Sequence, residues 1–409
     1  MVSEMDRIKC TGCGACAAGC PVRCIELKPD SEGFVYPVID RERCTRCGIC
    51  DEICHARHLV KGGADRPAAT FIAYNKDQKD RISSSSGGIF IALARQVILE
   101  GGVVYGAALD EDMRVCHIRV ETEHGLRELQ GSKYVQSHIS PGVYDSVSED
   151  LKSGRRVLYS GTPCQIGALN CFLAGGQDNL VTVSFICRGV PSPLVWEKYL
   201  DWQQGRKRSK VRRAFFRNKD SGWLEYSIKL LFENGQTYRR RHTDDPYLQA
   251  FLKGVCLRPA CHSCQYKGEQ ILPYCTDILL ADKWGEVNGD LPGIGDDKGV
   301  SLVFLHSKKG YSLWDRISEQ IRFTEVDFKQ AVSVNISYRV PAAVSEHRDA
   351  FFSELNALSF WRLYKKYARS PFKTRLRRNA YRIAYKTAKK IGVVAAVKRF
   401  RNRKAGKPS

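Results

Sequence analysis

The chain has 409 residues, 43% of them hydrophobic, and its 65 Lys and Arg outnumber 44 Asp and Glu for a net charge of +21. The length exceeds one ordinary domain, and the apolar content excludes a globally disordered chain. No run approaches the ~18 apolar residues of a membrane span, and the opening MVSEMDRIKC has no signal-peptide pattern, so a soluble, cytoplasmic protein is expected.

The first elements in chain order are two cysteine runs. Of 17 cysteines, nine lie at or before Cys54. In a reducing compartment they are not expected to form disulfides, and thiolate is a soft metal ligand. Cys10 to Pro21 reads CTGCGACAAGCP, the C-x2-C-x2-C-x3-C-P run of bacterial ferredoxins; CTRCGICDEIC repeats the spacing from Cys44 to Cys54. In paired runs the fourth cysteine of each serves the other cluster. The expected sets are therefore Cys10, Cys13, Cys16 and Cys54 for one [4Fe-4S] cluster, and Cys44, Cys47, Cys50 and Cys20 for the second. Zinc also takes four cysteines, but usually as two separated pairs. Gly12, Gly14 and Gly48 are expected to bring backbone close to the inorganic sulfurs. His55 stands where a second proline is expected, and Cys24, outside the pattern, reads as a packing thiol.

A connector from His55 to Ala69, with Gly62, Gly63 and Pro67, marks a domain boundary. TFIAYN reads as a strand. RISSSSGGIFIALARQVILEGG is a Ser/Gly loop opening an apolar helix that stops at Gly101 and Gly102. Free N–H groups there suit an anion such as phosphate, a flexible loop being the plainer alternative. With no G-x-G-x-x-G, a standard dinucleotide fold is not supported. VVYGAAL is a strand. VLYS is a strand, GTPCQ a tight turn and IGALNCFLA a helix. NLVTVSFICRGVPSP is a buried strand ending at Cys187. Cys164 and Cys187 thus follow strand ends, where open α/β sheets collect ligands. In CLRPACHSCQYKG, Cys261 and Cys264 form a C-x2-C pair that lacks two partners, which Cys164 and Cys187 can supply. A third four-cysteine cluster, a zinc site and buried thiols are all compatible with that spacing. His262 reads as a solvent-facing spacer, and Cys116, Cys171, Cys256 and Cys275 as buried thiols. DILLADKWG is a strand running into an acidic turn, where Asp277 and Asp282 either orient a ligand or cap the turn.

SSSSGGIF, LQGSKYVQS, SGTPCQIGAL, FICRGVPSP, DDPYLQAF, RPACHSCQYKG and DILLADKWG, in that order, resemble the beta-subunit family of coenzyme F420 hydrogenase and dehydrogenase. The likeness runs from about Ser83 to Val303 and is nearest to bacterial members with an N-terminal two-cluster ferredoxin unit. It implies non-covalent FAD on the central domain and a third [4Fe-4S] cluster on Cys164, Cys187, Cys261 and Cys264. The implied flavin region is Ser85, Ser86, Gly87 and Gly88 with Gly131, Ser132, Lys133 and Tyr134. Lys133 is the candidate catalytic residue, placed to stabilise negative charge on reduced flavin. Arg188, where many relatives carry histidine, and Lys283, where an aromatic is common, depart from the pattern. F420 itself is only a candidate cofactor.

The expected architecture is α+β: a two-cluster ferredoxin-like domain (1–60), a central α/β flavin and [4Fe-4S] domain (70–345) and a basic helical tail (346–409). The expected function is an iron–sulfur flavoprotein oxidoreductase. It would move electrons between a ferredoxin or redox partner subunit and a small-molecule, conceivably glycan-related, acceptor. The alternatives are an electron-transfer subunit docking on a separate enzyme, and a zinc-bound interaction protein with a nucleic-acid-binding tail. Residues 361–409 hold 18 Lys and Arg and no acid, leaving +3 for the 360 residues before them. FFSELNALSFWRLYKKYA reads as one amphipathic helix packed on the body and ended by Pro371. Beyond it Leu376, Ala380, Ile383, Ala384, Ile391 and Val394 recur at helical spacing, a pattern suited to an anionic membrane surface or an acidic polymer; a solvated basic end is the plainer alternative.

Overall fold

The two cysteine runs fold alike because their spacing and glycines are alike. Each loop enters a one-turn helix, Ala15–Ala18 or Ile49–Glu52, through a left-handed glycine at the N-cap: Gly14 at φ 84° and Gly48 at φ 81°. Between them β1 (Ile25–Pro29) and β2 (Val35–Ile39) form an antiparallel ribbon in which Ile25 faces Ile39. The computed structural model describes Val2 and residues 6–59, 69–269, 271–285, 289, 291–377, 380 and 383–384. Gly62, Gly63 and Pro67 of the expected connector, and Ile391 and Val394 of the tail pattern, lie outside them.

The strands that follow are β3 (Ala69–Asn75), β4 (Val103–Leu109), β5 (Val115–Val120), β6 (Val157–Ser160), β7 (Leu180–Phe185), β8 (Val211–Asn218), β9 (Ser227–Phe232), β10 (Thr237–Arg241), β11 (Ile278–Asp282), β12 (Ser301–Leu305) and β13 (Ile321–Glu325). Among the described residues they make a mixed sheet ordered β13-β3-β12-β11-β7-β6-β4-β5 and a three-stranded sheet ordered β10-β9-β8. Pairing is parallel from β4 through β6 and β7 to β11 and antiparallel outside that group. The parallel strands read as continuous apolar runs because both faces are covered. Helix Ile89–Leu99 lies on one face with Leu93 and Val97 fully buried, and helix Pro163–Phe172 contributes Ile166 and Leu169 to a separate core cluster.

The C-terminal segment departs from the single helix expected. It breaks into helix Arg348–Ser353, helix Phe360–Leu363 and a wide π-turn, Tyr364–Ala368. The break lets Phe351, Leu355, Phe360 and Leu363 all bury against the three-stranded sheet and helix Pro193–Lys207, beside Trp196 and Tyr199. An unbroken helix would place only one stripe of these side chains inward.

Asp245 organises that core. It caps helix Pro246–Leu252, its Oδ1 accepting from Leu248 N at 2.9 Å, while Oδ2 accepts from Tyr199 and Tyr238 hydroxyls, each at 2.9 Å. Burial nonetheless pushes its carboxyl up to about 6 from an ordinary 3.8. A raised folded pKa means that the native state holds the proton more tightly. That contribution is fully present below 3.8 and is lost as pH rises through 6. Denaturant titrations at pH 5 and pH 7 are therefore expected to show wild type losing about 1 kcal/mol relative to Asp245→Asn. Parallel pH profiles for the two proteins would refute this.

Candidate metal centres and cofactor region

The first cysteine set converges. The thiols of Cys13 and Cys16 are both raised, chiefly by burial, and each also feels negative charge on Cys10 and Cys54; Cys13 is pushed up to about 12. Cys54 of the second run therefore lies near Cys13 and Cys16 of the first, and Cys50 also lies near Cys16. In the second set, burial raises Cys50, which also feels Cys47 and Cys20. Cys47 reaches the surface while Cys20 is buried. Cys24 packs into the same group: its Sγ lies 3.5 Å from Cys20 Sγ, its amide donates to that sulfur at 3.4 Å, and burial raises it to about 11.

The third set comes from three separate elements. Cys164 sits in the first turn of helix Pro163–Phe172, not in a turn before it, because Thr162 and Gln165 form a reciprocal capping box that starts the helix there. Cys187 lies just past β7, and Cys261 lies in helix Pro259–His262 with Cys264 beyond its end. All four line one cavity of about 150 Å³. Burial raises Cys164 well above its ordinary value, and Cys264, Cys187 and Cys261 each add to that rise. Cys261 is pushed to about 12, first by burial and then by Cys187. Thr162 Oγ1 lies 3.1 Å from Cys164 Sγ, and Val190 N donates to Cys261 Sγ at 3.4 Å. Thiols that repel one another so strongly as anions suit a polycation that displaces their protons. Among the described residues no three His, Cys, Asp or Glu side chains close on a single ion; these four ring a space.

The same cavity is walled on one side by Thr11 and His55 of the N-terminal unit. His55, the residue that breaks the proline pattern, is buried. One ring nitrogen pairs with Thr11 Oγ1 at 2.9 Å and the other with the Tyr266 hydroxyl at 2.8 Å. Burial lowers it to about 4, so the ring is neutral near pH 7. Thr11 stands between two cysteines of the first set, and Tyr266 two residues past Cys264. The first and third sets are therefore joined by a three-residue hydrogen-bonded bridge.

Arg258 makes the second joint. It is 1% exposed and donates to Cys10 O, Val35 O and Gln136 Oε1, each at 2.9 Å, with Nη2 3.8 Å from Cys10 Sγ. Gln136 Nε2 donates to Thr11 O at 3.2 Å, the Tyr144 hydroxyl to Cys13 O at 2.8 Å, and Ser263 Oγ to Ile8 O at 2.8 Å. Gly12 has no room for a side chain: a Cβ would lie 2.8 Å from both Arg258 Nη1 and Gln136 Nε2. Its role in the structure is this close approach between domains.

The two segments expected at the flavin also meet. Ser85 Oγ accepts from Ser132 N at 2.6 Å and from Ser132 Oγ at 2.8 Å. Ser86 Oγ donates to Val300 O, and Gly87 N to Ser301 Oγ. Gly88 (φ 83°) caps helix Ile89–Leu99, and Gly131 (φ 85°) faces open space. Tyr134 stacks on Phe251 with centroids 4.7 Å apart. Lys133 is turned back: its Nζ donates to Glu128 O at 2.6 Å and Gln130 O at 3.3 Å, and burial lowers it to about 7.

Sequence reasoning missed the basic residues that frame this region. Lys219 Nζ spends its three donors on Arg81 O, Ser86 O and Lys298 O, fixing the Ser/Gly loop from below. Arg217 donates through Nη1 to Asp282 Oδ2 at 2.5 Å and lies over Tyr226, yet its buried Nε and Nη2 have no partner among the described residues. Trp223 stacks on Trp284 at 5.0 Å and 4°, and its Nε1 donates to Asp282 Oδ1. Lone arginines on a strand carry no local sequence signal. The two aspartates of DILLADKWG part company here. Asp282 belongs to this region, whereas Asp277 is spent internally on Thr182 N (2.7 Å), Thr182 Oγ1 (2.8 Å) and Ser307. His262 is not solvent-facing but half-buried, its Nδ1 paired with Ala342 O at 3.0 Å. Cys256 and Cys275 are buried as expected; Cys116 and Cys171 are half-buried. Arg188 lines the third cavity, and its Nη2 donates to Leu252 O.

Residues 154–331 match the family model for the C terminus of the coenzyme F420 hydrogenase/dehydrogenase beta subunit, and residues 9–57 match the 4Fe-4S dicluster domain. Among solved structures, a chain of the F420-reducing [NiFe] hydrogenase complex from Methanosarcina barkeri is similar at 17% identity and a TM-score of 0.44, covering 76% of this chain and 92% of that one. No curated protein matches. Among the described residues no helix is long and apolar enough to cross a membrane.

Proposed function

Because the chain belongs to the coenzyme F420 hydrogenase/dehydrogenase beta-subunit family and carries a 4Fe-4S dicluster domain, we propose that this iron–sulfur electron-transfer protein is an oxidoreductase with three clusters and one FAD. The observation that carries the reading is the cavity ringed by Cys164, Cys187, Cys261 and Cys264 and closed by Thr11 and His55. Clusters on the three cysteine sets would move single electrons, and FAD would exchange one or two. In this reading the chain divides at 1–60, 70–345 and 346–409, with the first part of the last segment, through Ala368, packed into the core of the central domain. A ferredoxin or partner subunit would exchange electrons with the N-terminal unit, and a small-molecule acceptor with the central domain. The basic tail would rest on an anionic surface.

The donor sets fit these groups. Thiols that burial and mutual repulsion keep protonated supply ligands once a cluster displaces the protons. Val190 N–H and Thr162 Oγ1 stand beside two of the sulfurs, where hydrogen bonds tune a cluster. For the flavin, Nε and Nη2 of Arg217 are the fit test: Nη1 is held by Asp282, the other two nitrogens are buried without an acceptor among the described residues, and an isoalloxazine rim offers acceptors. Ser85, Ser132 and the backbone of Gly87 and Gly88 would line the cofactor, with Lys133 holding the 128–130 turn in place.

Anaerobic purification with iron and flavin counted per chain tests the reading. About twelve irons and one FAD are expected. In Arg217→Met the flavin ratio should fall well below one while iron stays at wild-type level. About eight irons and no flavin in the wild type would refute it.

A further inference from the structure

A second cavity lies away from every cysteine set. It measures about 470 Å³ and sits where the three-stranded sheet meets the C-terminal segment. Its walls carry Arg239, Arg240 and Arg241 from β10 and Arg369 and Arg375 from the other side, against one carboxylate, Asp244. Two of these arginines are partly spent: Arg239 pairs with Asp220 at 3.3 Å and Arg241 with Glu225 at 3.0 Å. Arg240, Arg369 and Arg375 have no carboxylate partner among the described residues. Folding has therefore gathered like charges from two distant stretches of chain around one concavity, which costs free energy unless an anion completes it.

We propose that this cavity binds an organic phosphate ester carrying at least two negative charges. Guanidinium forks match phosphate oxygens bidentately, and several such forks around one hollow select multiple charge. The volume falls within the ~300–1,000 Å³ of small-molecule sites, so a nucleotide-sized body fits and inorganic phosphate underfills it. Trp361 forms an apolar wall, held rigid by stacking on Trp202 with centroids 5.2 Å apart and planes 6° apart. Beneath it, buried Ser370 Oγ donates to Gln249 Oε1 at 3.3 Å. The same chemistry is offered by a free nucleotide-like ester and by the phosphomonoester headgroup of a phosphatidic acid. The second source is suggested by Phe372, Leu376 and Ile383, farther along the chain from Arg369, which are 68%, 50% and 66% exposed.

The test uses the full chain with its prosthetic groups as purified. Calorimetry with ADP and with inorganic phosphate probes the free ester, and sedimentation with phosphatidic acid vesicles probes the headgroup. Saturable binding of ADP or of vesicles is expected, with inorganic phosphate about tenfold weaker or worse than ADP. Arg240→Gln and Arg369→Gln should each lower affinity about tenfold. Both side chains are exposed, so unchanged circular dichroism is expected in the variants. ADP binding alone assigns a soluble ester, and vesicle binding alone a headgroup. Three results overturn the proposal: no saturable binding of either probe, binding unchanged in the Arg240→Gln/Arg369→Gln double variant, or release of flavin by ADP, which would give these arginines to the cofactor's own diphosphate.

Discussion

Replacing Cys264 with serine is expected to lower bound iron by about four atoms per chain, from about twelve to about eight. Charge-transfer absorbance should fall by roughly a third, and electron transfer from the N-terminal unit to an acceptor by more than about 100-fold. The physical reason is that the cavity supplies four thiols and no substitute. His262, the nearest imidazole in sequence, is not among the residues that line the cavity, and His55, which does line it, has both ring nitrogens engaged by Thr11 and Tyr266. Cys275, the next thiol in the chain, is buried and donates to Leu272 O. Cys24→Ser supplies the contrast. Cys24 packs against the second set without belonging to it, so this variant should keep all its iron. Full iron occupancy in Cys264→Ser would sink the assignment of the third set, whereas iron loss in Cys24→Ser would bring Cys24 into the second set.

The second large effect is expected at Arg258. Substitution by methionine keeps the bulk over Tyr36, whose ring centroid is 4.4 Å from the guanidinium. It leaves Cys10 O, Val35 O and Gln136 Oε1 without a donor in a buried site. Hydrogen bonds from a charged group contribute ~1.5–3 kcal/mol each and do not add fully, so a loss of about 3–5 kcal/mol is expected. The denaturation midpoint followed by circular dichroism measures it. Potentiometry supplies an independent signature: without the guanidinium near Cys10 Sγ, the first centre should become harder to reduce. An unchanged midpoint together with an unchanged potential would show that Arg258 joins nothing.

Much of the metal chemistry was legible in the sequence, because ligand spacing is a local property. The two runs and their glycine-led helices follow from residue order alone. The Cys261 and Cys264 pair was also visible, while Cys164 and Cys187, which line the same cavity, were reached through strand ends and a family resemblance. VLYS and VVYGAAL match β6 and β4 to the residue. Where the reading departed from the structure, a side-chain contact that pattern alone does not reveal, near or distant, decided the outcome. The helix holding Cys164 starts earlier than expected because Gln165 reaches back to cap it. The C-terminal helix breaks because the surface beneath it can bury more rings than one stripe presents. Arg217 and Lys219 left no trace in the sequence reading, and Arg258 entered it only as a letter of RPACHSCQYKG with no role, because a single basic residue looks alike whether it is solvated or buried. The meaning of His55 depended on Tyr266, 211 positions away.

The carbonyls of Ile8, Cys10, Thr11 and Cys13 all accept hydrogen bonds from the central domain, through Ser263, Arg258, Gln136 and Tyr144. The first cysteine loop is therefore moulded from outside, whereas the second set stands at the outer edge with Cys47 exposed. The N-terminal unit is not autonomous in the way its ferredoxin-like spacing suggests. Excised on its own, it would keep the second cysteine loop's surroundings and lose the four hydrogen bonds that shape the first, so the two loops are expected to differ in how well they hold their form without the domain behind them.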